Sequence, residues 1–140
     1  MLLIGEYSHN VDSKGRMIMP SRFREILGET FIVTKGLDNC LYVYSMEEWK
    51  GLEDRIRTLP LSKARDLQRF FFAGAAVAEP DKQGRIILPA NLRKYAGLDK
   101  DVVVTGASTH VEIWDKSRWE QQVESLTAES IEEAMEAIGF

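Results

Sequence analysis

Two five-residue stretches carry the groups most able to do chemistry: Asp12-Ser13-Lys14-Gly15-Arg16 and Asp81-Lys82-Gln83-Gly84-Arg85. Each has the spacing of a tight turn. An aspartate there can accept hydrogen bonds from the amides of its own turn, and the glycine supplies the positive φ that a sharp reversal needs. The arginine stands just past the turn, where its rigid fork can engage a carboxylate or a phosphate. If each Asp–Arg pair only stapled its own turn, the further cations Lys14 and Lys82 at the tips would have no purpose. Arginines projecting outward, unpaired and aimed together at one polyanion, give them one.

The second stretch lies 69 positions after the first, and the flanks repeat with it. Met17-Ile18-Met19-Pro20 answers Ile86-Ile87-Leu88-Pro89, and Arg24 answers Arg93. A fixed offset carried through many positions marks a duplicated structural unit. Each unit reads as strand, turn, strand, short helix, two strands and a longer helix. In the first, Leu3 to Asn10 and Arg16 to Met19 flank the turn, and Pro20 opens a helix over Ser21 to Leu27 that Gly28 stops. The β-branched run Thr30 to Thr34 predicts a strand, Gly36 to Asn39 a turn and Cys40 to Tyr44 the returning strand. Ser45 to Glu48 has the pattern of a capping box. In the second unit the short helix is Leu92 to Ala96, stopped by Gly97. Asp101 to Thr105 pairs with His110 to Trp114, and Asp115 caps the closing helix. Trp49 and Trp119 match at an offset of 70, which predicts that both long helices plant an indole on equivalent surfaces of the core.

Between the units, Leu59 to Ser62 breaks the chain, and a helix is predicted from Lys63 to about Ala73. Leu67, Phe70, Phe71 and Gly74 share one face of it, opposite Arg65 and Arg69. Phe72 falls outside that stripe, either because a strand begins early, because it is ordinary core, or because it meets another subunit. The tail reads as an amphipathic helix through Ile131, Met135 and Ile138, capped at Ser130 and docked on the body or on a neighbour.

At 140 residues and 44% hydrophobic composition the chain can bury a core. Its single cysteine, Cys40, allows no internal disulfide and suits a reducing, cytoplasmic setting. The opening residues lack a signal-peptide pattern, and no window reaches the apolar length of a membrane span. Net charge is −4, but six of the 22 acidic residues lie beyond Trp119, where there is no Lys or Arg. The other 16 face 18 basic residues, so residues 1–119 are slightly positive and nucleic-acid binding is not excluded.

Catalysis finds little support. His9 lies near Asp12, but His110 reads as a lone surface histidine. Nucleophile-elbow, P-loop, CxxC and HExxH motifs are missing from the sequence. Glu47-Glu48 and Glu132-Glu133 are helix-end and surface charges. No enzyme, no cofactor, no metal and no small-molecule substrate are expected.

The doubled signature, each copy running on into Arg-Met-Ile-Met-Pro-Ser-x-Phe-Arg or Arg-Ile-Ile-Leu-Pro-x-x-Leu-Arg, resembles the AbrB-type swapped-hairpin DNA-binding domain. Two tandem copies, with Phe-Phe-Phe-Ala-Gly before the second, are similar to the MraZ family over roughly Leu3 to Trp119. The resemblance implies an α+β fold, mainly a β barrel with peripheral helices. In it, two AbrB-like swapped-hairpin repeats interleave within one chain as a pseudo-dimeric barrel. Segments 1–58 and 75–122 would be the repeats, 59–74 the connecting helix and 123–140 an acidic terminal helix.

It further implies a cytoplasmic, nucleoid-associated transcriptional regulator acting at the bacterial division and cell-wall gene cluster that includes its own gene. As a ring-shaped homo-oligomer, it would bind repeated boxes in double-stranded DNA. On this reading Arg16 and Arg85 contact base edges or phosphate. Lys14, Lys82, Arg22 and Arg24 position phosphates. Asp12, Gly15, Asp81 and Gly84 shape the loops. Gln83 stands where the first turn has Lys14, so the two loops are not expected to touch DNA equally. One protomer offers few phosphate contacts, each contributing a salt slope of about −0.9, so binding would depend on several protomers acting together. The rival class is a protein-interaction module, an adaptor or an antitoxin-like domain using the acidic tail.

Overall fold

The hydrophobic spacing of the two repeats is realised as eight strands and six α-helices in a computed structural model describing residues 2–139. The first repeat contains β1 (Glu6–Asn10), β2 (Arg16–Ile18), α1 (Ser21–Leu27), β3 (Phe31–Lys35), β4 (Leu41–Ser45) and α2 (Met46–Arg57). After α3 (Leu61–Leu67), the second contains β5 (Ala76–Ala78), β6 (Arg85–Ile87), α4 (Ala90–Ala96), β7 (Asp101–Gly106), β8 (Val111–Asp115) and α5 (Lys116–Glu124). The last helix is α6 (Ala128–Glu136).

Strand pairing crosses between the repeats. β1 pairs antiparallel with β7, and β2 pairs antiparallel with β6, so the strands flanking each turn find partners in the other half of the chain. The larger sheet has six strands in the order β1-β7-β8-β4-β3-β5, while β2 and β6 form a ribbon of their own. The expected closed barrel is therefore not formed. β2 and β6 take each other as partners and leave β1 and β5 as open edges; an isolated bridge between Val11 and Met17 joins the ribbon to the strand before it.

The ribbon register is pseudo-symmetric: Arg16 faces Ile87, Met17 faces Ile86 and Ile18 faces Arg85. Met17 lies opposite its own counterpart, so the local two-fold axis passes through that pair. Met17, Met19, Phe23, Ile86, Leu88 and Leu92 are all buried, each with its counterpart 69 positions away. They fill one core together with Phe31, Val33, Leu41, Val43, Val102, Val104, Val111 and Ile113 from the larger sheet. Cooperative packing of this kind makes the two halves one folding unit.

Several local expectations are revised. The connecting helix ends early: α3 gives way to a π-helical turn over Gln68–Phe72, closed by Ala73 N donating to Gln68 O at 3.2 Å. The wider turn rotates the following side chains. Phe72 lands edge-on against Trp49, ring centroids 4.8 Å apart, which gives it a packing partner within the chain. Thr34 Oγ1 donates to Phe71 O at 2.5 Å, tying this turn to β3.

The tail helix starts three residues sooner than expected. Thr127 is its cap, with Thr127 and Ser130 exchanging side-chain-to-backbone hydrogen bonds. Ile131, Met135 and Ile138 are exposed, so α6 is not docked on the body. Ser45 Oγ accepts from Glu48 N at 3.2 Å, whereas Asp115 occupies its cap position without a side-chain hydrogen bond. The two indoles are not equivalent: Trp49 packs on Tyr44 and Phe72, while Trp119 packs on Trp114 and donates from Nε1 to Glu6 Oε1 at 2.7 Å. Among the described residues, no helix is long and apolar enough to cross a membrane.

Candidate nucleic-acid interface

Both turns close in the same way. Asp12 Oδ1 accepts from Lys14 N at 2.9 Å and from Arg16 N at 2.8 Å, and Asp81 Oδ1 accepts from Gln83 N and Arg85 N, each at 2.9 Å. These amide hydrogen bonds, first those from Arg16 N and Arg85 N, hold both carboxyls below their ordinary pKa, with the adjoining guanidinium adding to the effect. Gly15 and Gly84 take φ of 79° and 81°, the left-handed region that the turn requires.

The expectation of unpaired arginines is corrected. Arg16 Nε donates to Asp12 Oδ2 at 2.7 Å, and Arg85 Nε donates to Asp81 Oδ2 at 2.8 Å. The aspartate four residues earlier is held so rigidly by the turn amides that its second oxygen meets the guanidinium stem. Neither arginine is smothered: their side chains remain 31% and 29% exposed. Among the described residues only Nε of each is hydrogen-bonded, which leaves the terminal amino groups with donors to spare for another acceptor.

The register fixes where these groups stand. Directly opposed residues of an antiparallel pair share a face, so Arg16, Ile18, Arg85 and Ile87 lie on one side of the ribbon. Met17 and Ile86 point the other way, into the core. Arg16 and Arg85 are diagonal neighbours, about 7–8 Å apart along the backbone geometry of such a pair. The two turns enter the ribbon from opposite ends, yet their arginines rise from a single face. Lys14 and Lys82 are exposed at the turn tips, and Arg22 is exposed on α1 beside Leu2, Ile4, Glu25 and Ile26.

Arg24 stands in a different setting from Arg22. Its Nε donates to Met19 O at 3.0 Å, and its guanidinium lies against the turn of the other repeat. A β-carbon at Gly84 would come within 2.8 Å of Arg24 Cζ. Arg93 does the same in mirror fashion, donating from Nε to Leu88 O at 2.9 Å and covering Gly15, where a β-carbon would lie 3.1 Å from its Cζ. Backbone bonds reinforce the exchange, Met19 N donating to Gly84 O at 3.0 Å and Leu88 N to Gly15 O at 2.8 Å. Each helix arginine thus braces the opposite turn. Sequence reasoning paired Arg93 with Arg24 but gave it no place at the site, because only the strand exchange brings it there.

The surroundings of the turns differ in charge. Beside the second is a cleft of about 800 Å³ lined by Arg24, Glu25, Glu29, Glu79 and Asp81, among others. At the positions 69 residues away that answer Glu25, Glu29 and Glu79, the chain has Lys94, Leu98 and Asn10. The field around the first turn is the more favourable one for an anion.

His110 is not a lone surface group. It is half-buried, with Nε2 3.0 Å from Glu112 Oε2, and its ring lies 4.3 Å from that of Tyr42. Glu112 also accepts from Trp114 Nε1 at 3.0 Å. This network sits on the larger sheet, away from the ribbon.

Comparison with known proteins agrees with the doubled architecture. The family described as "MraZ protein, putative antitoxin-like" matches twice, over residues 2–70 and 71–139. A protein of Acetivibrio thermocellus named transcriptional regulator MraZ is 59% identical over 143 aligned positions, covering 99% of this chain and all of the relative. Proteins of the same name from Caldicellulosiruptor bescii and Clostridium tetani are 54% and 52% identical, again over 99% of this chain and their whole length. The duplicated turns, the strand exchange between halves and this full-length similarity lead to one conclusion: the chain belongs to the MraZ family of transcriptional regulators, non-enzymatic proteins with two tandem MraZ repeats.

Proposed function

We propose that this regulator binds double-stranded DNA in a sequence-specific manner through the β2–β6 ribbon and its two turns. Its site is repeated boxes in the promoter of the bacterial division and cell-wall gene cluster that includes its own gene, which it represses. The observation that carries the reading is the placement of Arg16 and Arg85 on one exposed face. A two-stranded ribbon fits the major groove, and arginine paired with guanine is the commonest specific contact there. Lys14, Lys82 and Arg22 supply phosphate contacts from the rim. Asp12 and Asp81 hold the arginines in register and do not touch DNA. The protein works in the cytoplasm, associated with the nucleoid.

A single ribbon neutralises few phosphates, so affinity depends on a homo-oligomeric ring presenting several ribbons to adjacent boxes. The test is a gel shift at several salt concentrations on the DNA upstream of its own gene. Wild-type binding weakens steeply with salt, and Arg16→Ala combined with Arg85→Ala abolishes it with the thermal melt and oligomer mass nearly unchanged. A large loss of stability in the double variant would instead assign these arginines to stapling their own turns.

One observation favours a second reading. The exposed amphipathic α6 has the form of a protein-binding tail, as an antitoxin-like module would need. Co-purification of a protein through α6, with indifference of the DNA shift to salt, would support that reading.

A further inference from the structure

The ribbon face that carries Arg16 and Arg85 also carries two apolar side chains with no covering partner among the described residues. Ile18 is 44% exposed and Ile87 is 67% exposed, while their neighbours Met17 and Ile86 are buried. Burial of the inner residues accounts for Met17 and Ile86. β-branched side chains suit a strand, but that preference does not call for hydrocarbon on the outer face, where each isoleucine stands directly opposite an arginine.

We propose that Ile18 and Ile87 read thymine, by packing against its C5-methyl group in the major groove. The proposal rests on DNA binding by this ribbon and adds specificity residues to it. The charge of the face selects the occupant: two guanidinium edges flank the isoleucines, and a polyanion satisfies both at once. In the groove, the apolar group that distinguishes one base pair from the others is that methyl. Two side chains cover far less than the roughly 800 Å² per partner of a stable protein interface, so a second copy of the chain is a poor occupant. Arg16 and Arg85 would then supply guanine preference, and the isoleucines thymine preference at neighbouring steps.

The experiment compares the promoter duplex upstream of its own gene with the same duplex made with deoxyuridine in place of thymidine, which lacks only the methyl. Full-length wild-type protein binds the thymine duplex more tightly, by about fourfold for each methyl contacted. Ile18→Ala with Ile87→Ala binds the two duplexes equally, at wild-type melting temperature and oligomer mass, and Ile18→Val with Ile87→Val keeps the preference. Equal wild-type binding to both duplexes would overturn the inference and leave DNA binding standing. So would an alanine variant that keeps the thymine preference, or one that only changes oligomer mass, which would assign this face to packing between copies. Failure of wild type to bind either duplex would overturn the DNA reading as well.

Discussion

Arg16 and Arg85 stand diagonally across the β2–β6 ribbon, on one face, although they lie 69 residues apart in the chain and their turns arrive from opposite ends. Antiparallel register alone brings this about, because opposed residues share a face and each arginine faces the isoleucine two places after its counterpart.

Their pseudo-symmetry does not extend to their surroundings. The second turn borders a cleft lined by Glu25, Glu29 and Glu79, whereas Lys94 and Asn10 answer two of these beside the first. Arg16→Ala should therefore weaken DNA binding more than Arg85→Ala, and Glu25→Gln with Glu79→Gln should tighten it. Fluorescence anisotropy across a salt series measures both, with the slope falling by about 1 for each phosphate no longer neutralised.

Arg24 braces Gly84 and Met19 through a fork that lysine cannot reproduce. Arg24→Lys, which keeps the charge, should impair DNA binding nearly as much as Arg24→Ala. The expected loss is roughly tenfold, the equivalent of one hydrogen bond of about 1.4 kcal/mol. The salt slope should stay as in wild type. A lysine variant that binds like wild type would return Arg24 to the phosphate-contacting set.

Gly84 is buried at φ 81° beneath that guanidinium. Gly84→Ala should cost about 1–2 kcal/mol from the left-handed backbone alone, and displacement of Arg24 should add to it. Gly15→Ala should cost less, since its neighbour Arg93 is 3.1 Å away where Arg24 is 2.8 Å away. Urea unfolding gives the comparison directly.

The depressed pKa values of Asp12 and Asp81 set an acid limit for the turns. Both carboxyls start from 3.8 and lie lower in the folded chain, chiefly because the arginine amides donate to them. Their contribution is complete above the unfolded value and disappears as pH falls through the folded one. The turns should thus keep this contribution at neutral pH and down to about pH 4, and lose it only as pH falls further, through the lower folded value. Glu112 behaves alike for another reason: burial raises its pKa, but hydrogen bonds from His110 and Trp114 outweigh that and leave it below 4.5. Carboxyl titration followed by NMR, with Asp12→Asn as control, checks the order of events.

Much of this was legible in the amino-acid sequence, because the duplication repeats the strong local signals. Pro20 and Pro89 at helix starts, the β-branched runs and the two turn glycines each specify their surroundings within a few residues. What escaped was set by partners distant in sequence. No local pattern says that β2 pairs with β6, so the open sheet edges and the bracing role of Arg93 stayed hidden. The π turn at Gln68–Phe72 also escaped, since helical periodicity assumes 3.6 residues per turn and one wider turn sends Phe72 to Trp49. Likewise the pairing of Arg16 with Asp12 depended on how tightly the turn amides hold that carboxylate.

Because each half lends a strand to the other, neither half owns a complete scaffold. A polypeptide containing only the first repeat would have to borrow its missing edge from a twin, giving a true dimer with identical arms where this chain has unlike ones. Fusion of such twins frees the arms to diverge, one toward a basic setting and the other toward an acidic one. It also gives the ribbon a direction that a symmetric dimer of single repeats would lack.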